Sequence, residues 1–195
     1  MFPVWCVGCG EPETALCAAC ASAARPVTVV AGGMTVRAAG DYSGTLREAI
    51  LALKRGERAY LDPLAALLAP LVPRDTAIVP LTTTRRRAAE RGFDQASELA
   101  RRVAGLRSGW TDELLRKRGA AQRGLDRRER LMARGRFTLR PGIGIPSQAV
   151  LLDDVLTTGA TLCDAARLLG SAGCNVLGAV VIARTPAGRE TPRHG

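Results

Sequence analysis

The stretch that decides the fold runs from residue 149 to residue 162 and reads AVLLDDVLTTGATL. Its apolar beginning predicts a short buried strand over Gln148–Leu152. Two carboxylates, Asp153 and Asp154, come directly after this strand. Because ligands bind at the carboxyl ends of the strands in open α/β sheets, the sequence places this pair where a ligand would lie.

Hydroxyl groups and a glycine follow the carboxylates, just before a predicted helix over Ala160–Leu169. The free N–H groups at a helix start, the helix dipole and the threonine hydroxyls together form a cradle for one phosphate. Gly159 lets the backbone approach that phosphate closely. An acidic pair beside a phosphate cradle suits a ligand with a phosphate near a vicinal diol, such as a ribose 5-phosphate.

Three other interpretations fit the sequence less well. Nucleotide hydrolases also end a strand in two aspartates, which hold magnesium, but they need a G-x-x-x-x-G-K-[ST] string that this sequence lacks. Gly142-Ile-Gly144 lacks the third glycine and the preceding strand of a dinucleotide-binding fingerprint. Simple helix capping by Thr157 or Thr158 would explain the hydroxyls, but not the glycine and both carboxylates together.

The segments on either side of this stretch extend it to an α/β fold. A second strand is predicted over Asn175–Ala183, so that strand, helix and strand form a parallel crossover unit. Apolar periodicity predicts further elements: helices around Leu46–Leu53 and Phe93–Val103, a helix capped by Asp62 with Pro63 in its first turn, and a strand over Thr76–Val79. The predicted architecture is a parallel sheet flanked by helices.

Four cysteines near the start of the chain form two C-x2-C pairs separated by seven residues: Cys6, Cys9, Cys17 and Cys20. This spacing is typical of a structural zinc site with four thiolate ligands, in which each pair lies on a tight turn. Disulfide pairing is the main alternative, but no secretory signal segment is recognisable at the N-terminus. A redox C-x2-C motif would not need two copies.

The positive charge is concentrated in one part of the chain. The sequence has a formal net charge of +10, and residues 85–140 contain 17 basic and 7 acidic side chains, which accounts for the whole excess. Residues 110–136 combine charge, glycine and scattered leucines, which predicts a mobile basic segment with a helix around Arg127–Met132. A segregated excess of this kind indicates a polyanionic partner, either a phosphorylated small molecule or nucleic acid, although arginine-rich surfaces are often only solvated.

The stretch from Asp153 to Thr161 resembles the phosphoribosyl-diphosphate (PRPP) signature of type I phosphoribosyltransferases. Further segments occur in the order found in the ComF (competence protein F) family: the cysteines from Cys6 to Cys20, Tyr42-x-Gly44-x-Leu46-Arg47, Lys54, Pro80-Leu81, and Arg91-Gly-Phe-Asp-Gln-Ala96. The chain is therefore identified as a member of the ComF family over residues 3–183. The resemblance implies a zinc ribbon at residues 1–26 and a type I phosphoribosyltransferase-like domain at residues 27–195.

The resemblance also implies site residues by position. The ribose hydroxyls would be held by Asp153 and Asp154, and the 5-phosphate by Thr157, Thr158, Gly159, Ala160 and Thr161. The pyrophosphate, bridged by magnesium, would contact Leu81, Thr82, Thr83, Thr84 and Arg85. A flexible loop at residues 116–125 would close over the site, with Arg116, Lys117 and Arg118 as the candidates for catalysis. This sequence has Gly119 where the family commonly has threonine, and it lacks the asparagine expected before Phe137.

The function implied by the resemblance is PRPP binding with magnesium, with transfer of the phosphoribosyl group to an unidentified acceptor and a role in DNA uptake during natural transformation. The alternatives are a non-catalytic module that binds single-stranded DNA and a nucleotide-salvage phosphoribosyltransferase. The expected partners are PRPP, single-stranded DNA and a competence helicase or ATPase. The sequence does not decide between a monomer and a homo-oligomer. No apolar run approaches the ~18 residues of a membrane helix, so we expect a cytoplasmic protein without membrane insertion.

Overall fold

The structure is a computed structural model that describes residues 4–117 and 135–186. Within these ranges the strands are β1 Val27–Ala31, β2 Met34–Asp41, β3 Ala77–Pro80, β4 Trp110–Thr111, β5 Leu115–Lys117, β6 Phe137–Leu139, β7 Gln148–Leu156 and β8 Asn175–Arg184. The α-helices are α1 Ala18–Ser22, α2 Gly44–Lys54, α3 Leu61–Leu68, α4 Arg85–Arg91, α5 Gln95–Arg107 and α6 Ala160–Ser171, with 3₁₀ turns at Arg58–Tyr60 and Ala69–Leu71.

The central sheet has six strands in the order β1-β2-β8-β7-β3-β4. The β1–β2 pair is an antiparallel hairpin, and every other neighbouring pair in this sheet is parallel. The crossover from β7 through α6 to the parallel β8 is the unit that the sequence predicted. Strands β5 and β6 form a separate antiparallel pair. The predicted α/β class with a mainly parallel sheet is therefore confirmed.

An apolar layer covers each face of the sheet, so its central strands are buried on both faces. One layer contains fully buried side chains from α2, α3 and α5, such as Ile50, Leu64 and Leu99. The other layer packs α6 and the β5–β6 pair against the opposite face, with Leu162 and Leu115 at its centre. The two layers fix the sheet from both sides, so the ends of its strands are held in place.

Several predicted element boundaries were wrong. Strand β7 extends to Leu156 instead of ending at Leu152, because β8 pairs with it as far as Arg184. The helix predicted to be capped by Asp62 begins at Leu61, after the N-cap residue Tyr60. Asp62 lies in the first turn of α3 and its carboxylate instead contacts Arg102 Nε at 2.6 Å.

The N-terminal region packs against the main domain. Ala15 belongs to the same apolar cluster as Ile50 of α2, and Val4 and Val7 contact that cluster. The boundary predicted at residue 26 stays a prediction. The helix predicted at residues 127–132 lies outside the described residues. Among the described residues, no helix is long and apolar enough to cross a membrane.

Candidate functional site

The acidic pair lies where β7 continues past the end of its neighbour β3. The β3–β7 register ends at Pro80 opposite Leu152, and β7 runs on to Leu156. The chain after β3 is tied to β7 by a hydrogen bond of 2.8 Å from Leu81 N–H to the Leu152 carbonyl. Asp153 and Asp154 therefore stand at the carboxyl edge of the sheet, next to the segment predicted to contact pyrophosphate.

The two carboxylates are half-buried and have different partners. Asp153 Oδ1 accepts a hydrogen bond of 2.9 Å from the Asp154 N–H. Burial, followed by the negative charge of Asp154, raises the pKa of Asp153 to about 7. Asp154 Oδ2 lies 2.7 Å from Lys54 Nζ, at the end of α2. One carboxylate of the pair is thus neutralised by a lysine, whereas the other holds its proton more tightly than usual.

The predicted phosphate cradle lies at the start of α6. Gly159 is the N-cap residue with φ +77°, and a Cβ atom at this position would lie 2.8 Å from Ala31 Cβ, so only glycine fits. Because glycine has no side chain, the N-cap residue itself cannot cap the first N–H groups of α6. Thr158 Oγ1 lies 3.4 Å from the Ala160 N–H, a long contact. Simple capping therefore accounts poorly for this loop.

A basic residue absent from the predicted set borders this cradle. Arg136 Nη1 donates a hydrogen bond of 2.9 Å to Thr161 Oγ1, and the Arg136 backbone N–H donates to Asp164 Oδ2 at 2.9 Å. The guanidinium is thereby held beside the start of α6. In the sequence Arg136 is one of many arginines in the basic segment, so no local signal distinguished it.

The segment after β3 is anchored to two neighbouring elements. Thr82 is buried and its hydroxyl donates to the Leu115 carbonyl at 3.0 Å. The Thr83 N–H donates to Asp94 Oδ2 at 2.7 Å, while Asp94 Oδ1 caps α5 by accepting from the Ser97 N–H at 3.1 Å. Of the predicted pyrophosphate residues, the side chain of Arg85 lies outside the described part of the structure. The hydrogen bonds of Thr82 and Thr83 fix the shape of this segment.

A cleft of about 370 Å³ joins the acidic pair to this segment. The side chains that line it carry three cations and three carboxylates, together with small and apolar groups. They are Lys54, Leu81, Thr83, Arg91, Asp94, Gln95, Ala96, Lys117, Asp153 and Asp154. The cleft thus brings together residues from five separate parts of the chain.

The motif Arg91-Gly-Phe-Asp-Gln95 braces one wall of the cleft. Gln95 is buried, and its Nε2 donates to the Leu53 carbonyl at the end of α2. Its Oε1 accepts a hydrogen bond of 3.0 Å from Arg91 Nη1. Asp94 holds the Thr83 backbone as described above. In the sequence this motif contributed only to the family resemblance. Its contacts were not predictable because they depend on how α5 packs against α2.

The predicted flexible-loop residues are divided between the described and undescribed parts of the chain. Lys117 ends β5 and lines the cleft, and its positive charge favours the ionised form of Asp153. Arg116 is exposed on the same strand. Arg118 and the rest of the predicted loop lie outside the described residues, and the predicted closure of that loop stays a prediction.

The four N-terminal cysteines form a compact cluster. All four Sγ atoms lie within 4.8 Å of one another, and Cys9 Sγ lies 3.6 Å from Cys17 Sγ. Four sulfurs at ~2.3 Å from a tetrahedral zinc would lie about 3.8 Å apart, so the donor set and spacing fit this metal. All four residues are free thiols rather than disulfides. The cluster is a candidate metal site consistent with a zinc ribbon.

The backbone and the neighbouring thiols shift the pKa values of the cysteines in opposite directions. Burial opposes ionisation of Cys6, but hydrogen bonds from the backbone of Cys17, Cys9 and Gly8 outweigh it and lower the pKa of this thiol to about 6. Side-chain contact with Cys17, then Cys9, raises the pKa of Cys20 to about 12. Gly8 is required because a Cβ atom there would lie 2.7 Å from Cys20 Sγ. The turn is therefore shaped around the sulfur atoms.

Comparisons with known proteins agree with this geometry. The phosphoribosyl transferase domain family matches residues 90–195. Competence protein ComFC of Streptococcus pneumoniae is 35% identical over 96 residues, which are 49% of this chain and 41% of that protein. Adenine phosphoribosyltransferase of Rhodospirillum rubrum is 39% identical over 95 residues, 47% of this chain and 53% of that protein. The enzyme of the same name from Mycolicibacterium smegmatis is 54% identical over 52 residues, 25% of this chain and 29% of that protein.

A mainly parallel sheet with an acidic pair and a glycine-capped helix start at its carboxyl edge defines an α/β domain of the phosphoribosyltransferase class. This chain belongs to the phosphoribosyl transferase domain family, and the match to ComFC supports its assignment to the ComF-family type I phosphoribosyltransferases. The chain matches about half or less of the length of these curated relatives.

Proposed function

We propose that this protein binds PRPP at the carboxyl edge of its sheet and transfers the phosphoribosyl group to an acceptor. The observation that carries the proposal is that three polar segments lie at the carboxyl ends of two paired strands: the acidic pair in β7, residues 157–161 between β7 and the first turn of α6, and residues 81–84 after β3. These segments offer acceptors for the sugar hydroxyls, an anion cradle for the 5-phosphate and a second polar loop for the pyrophosphate of PRPP.

The chemistry of each group supports this arrangement. Carboxylates at Asp153 and Asp154 accept hydrogen bonds from the two ribose hydroxyls. The N–H groups that follow Gly159, together with the Thr161 hydroxyl and the guanidinium of Arg136, bind the dianionic 5-phosphate. The carboxylate pair is also the type of donor that Mg²⁺ prefers, so these residues fit a magnesium ion that arrives with the pyrophosphate. Such an ion would supply positive charge to the departing pyrophosphate.

The proposed transfer needs positioning more than it needs a strong base. The bond from ribose C1 to the pyrophosphate oxygen breaks with its electron pair leaving on pyrophosphate, and a bond from C1 to the acceptor forms. The proton that the acceptor loses goes to the released pyrophosphate or to water. Because pyrophosphate is already a good leaving group, the chain contributes by holding the sugar and by placing positive charge near the leaving oxygens. Lys117 lines the cleft beside Asp153 and is placed for the second task.

A double variant tests PRPP binding. We expect Asp153→Asn with Asp154→Asn to keep or raise the thermal midpoint without ligand, because burial and the charge of Asp154 make ionised Asp153 costly. The Lys54–Asp154 ion pair that the variant also removes is part-exposed and contributes little stability. The same variant should lose the stabilisation that PRPP and magnesium give to the parent. Thermal unfolding with and without PRPP measures both effects.

Asp62→Asn is the matched control, since this carboxylate is exposed and lies on α3 with Arg102. The control should be stabilised by PRPP like the parent. A double variant that PRPP stabilises as much as the parent, or a parent that PRPP does not stabilise, would contradict the proposal.

Adenine is the first acceptor to test, because two relatives are named adenine phosphoribosyltransferases. If the chain serves nucleotide salvage, incubation with adenine, PRPP and magnesium should produce AMP and pyrophosphate in equal amounts. PRPP binding without AMP formation would favour another acceptor. An enzyme-coupled assay of pyrophosphate release measures the transfer to adenine and to any other acceptor.

A role in DNA uptake is the second candidate, favoured by the name of the ComFC relative and by the charge of residues 85–140. Arg86 and Arg140 already contact carboxylates of Glu90 and Glu113, each at 2.8 Å. Exposed ion pairs of this type are weak, so phosphates could replace the carboxylates. A plot of the logarithm of the binding constant for single-stranded DNA against the logarithm of the salt concentration has a negative slope. Changing Arg86 and Arg140 to Ala should make this slope less steep by about 0.7 per lost phosphate contact. An unchanged slope would exclude these two arginines from the DNA contacts.

A further inference from the structure

Lys54 is a cleft residue to which sequence analysis gave no role. It is the last residue of α2, and its ammonium lies 2.7 Å from Asp154 Oδ2. Its side chain is 30% exposed and that of Asp154 is 26% exposed, so solvent and a ligand can both reach the pair. A cation at the carboxyl end of a helix is also favoured by the helix dipole.

The position of Lys54 is fixed by a chain of contacts that starts at α5. The preceding carbonyl, that of Leu53, accepts the hydrogen bond from buried Gln95, and Gln95 is in turn held by Arg91. The end of α2 is thereby fastened to the wall of the cleft. The hydrogen bond at Leu53 thus anchors the backbone next to Lys54, whose side chain lines the cleft.

The charges of the cleft divide into groups that are already engaged and groups that remain for a ligand. Both oxygens of Asp94 accept backbone N–H groups, from Thr83 and from Ser97. Asp153 Oδ1 and Asp154 Oδ1 also accept one backbone N–H group each, from Asp154 and Val155, and Asp154 Oδ2 contacts Lys54. The lone pairs that these oxygens keep are the acceptors for ligand hydroxyls. An ammonium has three donors, and the contact with Asp154 uses one of them.

Lys54 also shares the cleft with the segment after β3. Leu81 and Thr83 line the same cavity of about 370 Å³ as Lys54 and the acidic pair. An ion pair that served only stability would gain little at this exposure, because the cost of desolvation offsets the attraction. A lysine that contacts Asp154 and shares the cleft with this segment is instead placed to reach a diphosphate attached to the sugar.

We infer that Lys54 binds the pyrophosphate group of PRPP, with its ammonium bridging that group and the carboxylate of Asp154. The inference rests on the proposed function and adds to it a residue outside the stretches 81–85 and 153–161, to which the resemblance assigned PRPP contacts. In this arrangement Lys54 neutralises Asp154 when the cleft is empty. When PRPP is bound, its remaining donors contact the pyrophosphate oxygens as charge-assisted hydrogen bonds.

Comparison of two ligands tests the inference. Ribose 5-phosphate has the sugar and the 5-phosphate but no pyrophosphate, so it separates a pyrophosphate contact from a general effect on the site. Isothermal titration of the full chain with PRPP and with ribose 5-phosphate, both with magnesium at constant ionic strength, is the measurement. We expect Lys54→Met to weaken PRPP about tenfold to a hundredfold, the range of a charge-assisted hydrogen bond, and ribose 5-phosphate by no more than about twofold.

Two further variants complete the design. Lys54→Arg keeps the positive charge and should restore most of the affinity for PRPP. Arg55→Met removes the neighbouring charge, which contacts Glu57 at 2.9 Å outside the cleft lining, and should leave both affinities close to those of the parent. Thermal midpoints without ligand show that each variant is folded.

The outcomes are distinct. Equal weakening of both ligands by Lys54→Met would overturn the inference and would make Lys54 a positioning residue for Asp154. Unchanged PRPP affinity would also overturn it, while the proposed function would stand. A parent that binds neither ligand would instead refute the proposed function, and the role of Lys54 with it.

Discussion

The cysteine cluster and the cleft both gather groups that repel one another when ionised, but they resolve the conflict in different ways. In the cluster, four sulfurs lie within 4.8 Å of one another and the described residues supply no cation among them. In the cleft, the chain supplies its own cation, because Lys54 contacts Asp154. Among residues 4–117 and 135–186, none forms an ion pair of this kind with Asp153, and its pKa is raised to about 7.

The difference indicates what each region needs from outside. Four thiolates around one point repel one another unless a metal binds them, and we expect such a metal to add to the stability of the N-terminal fold. The acidic pair is tolerated without a metal because a lysine and a tightly held proton compensate its charge. We therefore expect the N-terminal region to depend on its metal for folding and the cleft to stay folded without its ligand.

The largest expected effect is that of removing one sulfur. We expect one zinc per chain in protein purified without chelators, and Cys17→Ser should lose most of it. Residues 4–22 should then exchange their amide hydrogens much faster, since structural zinc contributes on the order of 10 kcal/mol in small zinc domains. Residues 148–184 should exchange almost as slowly as in the parent.

Elemental analysis together with hydrogen exchange measures this prediction. Cys163→Ser is the matched control, because this cysteine lies outside the cluster. Protein with almost no zinc and four free thiols, or with a disulfide between two of the four cysteines, would contradict it.

A smaller effect is expected for the brace that shapes the cleft. Asp94→Ala removes the cap of α5 and the acceptor of the Thr83 N–H, so the free energy of unfolding should fall by about 2–3 kcal/mol. PRPP affinity should fall as well, because the segment after β3 loses its anchor. Urea unfolding and titration with PRPP measure the two effects. Asp94→Asn keeps an efficient cap and should lose less stability than Asp94→Ala, and equal losses would exclude the capping role.

The pH dependence of stability tests the charge balance of the acidic pair. A carboxyl group whose pKa is raised in the folded state favours folding when it is protonated, fully below its unfolded pKa of ~3.9, and loses this contribution as the pH rises through about 7. The parent should therefore gain stability relative to Asp153→Asn as the pH is lowered from 8 to 5.

Urea unfolding of both proteins without added magnesium measures this difference. Asp62→Asn provides the reference for an exposed carboxylate. A parent-to-variant difference that does not change between these pH values would show that the Asp153 carboxyl titrates alike in the folded and unfolded chain.

The smallest effect is expected for a single hydroxyl of the phosphate cradle. Thr158→Val keeps the shape of the side chain but removes a hydrogen-bonding group, so PRPP affinity should fall about fivefold, which corresponds to ~1 kcal/mol. Stability should change by less, because Thr158 is exposed and its contact with the Ala160 N–H is long. Titration with PRPP measures the change in binding free energy, and urea unfolding measures the change in stability. A loss of stability larger than the loss of binding free energy would favour a capping role for Thr158.

Local pattern was sufficient to predict one part of the site and insufficient for the other. The carboxylates, Gly159 and the start of α6 are adjacent in sequence. The pattern of a strand followed directly by a helix was therefore enough to predict that they lie close together. The four cysteines were predictable for the same reason.

The remaining cleft residues meet only through the packing of distant elements. Lys54 lies about a hundred residues before Asp154, and their contact depends on how α2 packs on the sheet. The continuation of β7 beyond Leu152 was also unpredictable from its own residues, because the pairing with β8 extends it. Arg136 reaches Thr161 through the separate β5–β6 pair.

The central claim is that the carboxyl edge of the sheet holds PRPP by its sugar and 5-phosphate. A crystal structure of the chain with ribose 5-phosphate, pyrophosphate and magnesium tests it most directly. We expect the ribose hydroxyls within hydrogen-bond distance of Asp153 and Asp154, and the 5-phosphate on the N–H groups that follow Gly159. Density for the sugar phosphate elsewhere on the protein, with the Asp153–Asp154 edge free of ligand, would contradict it.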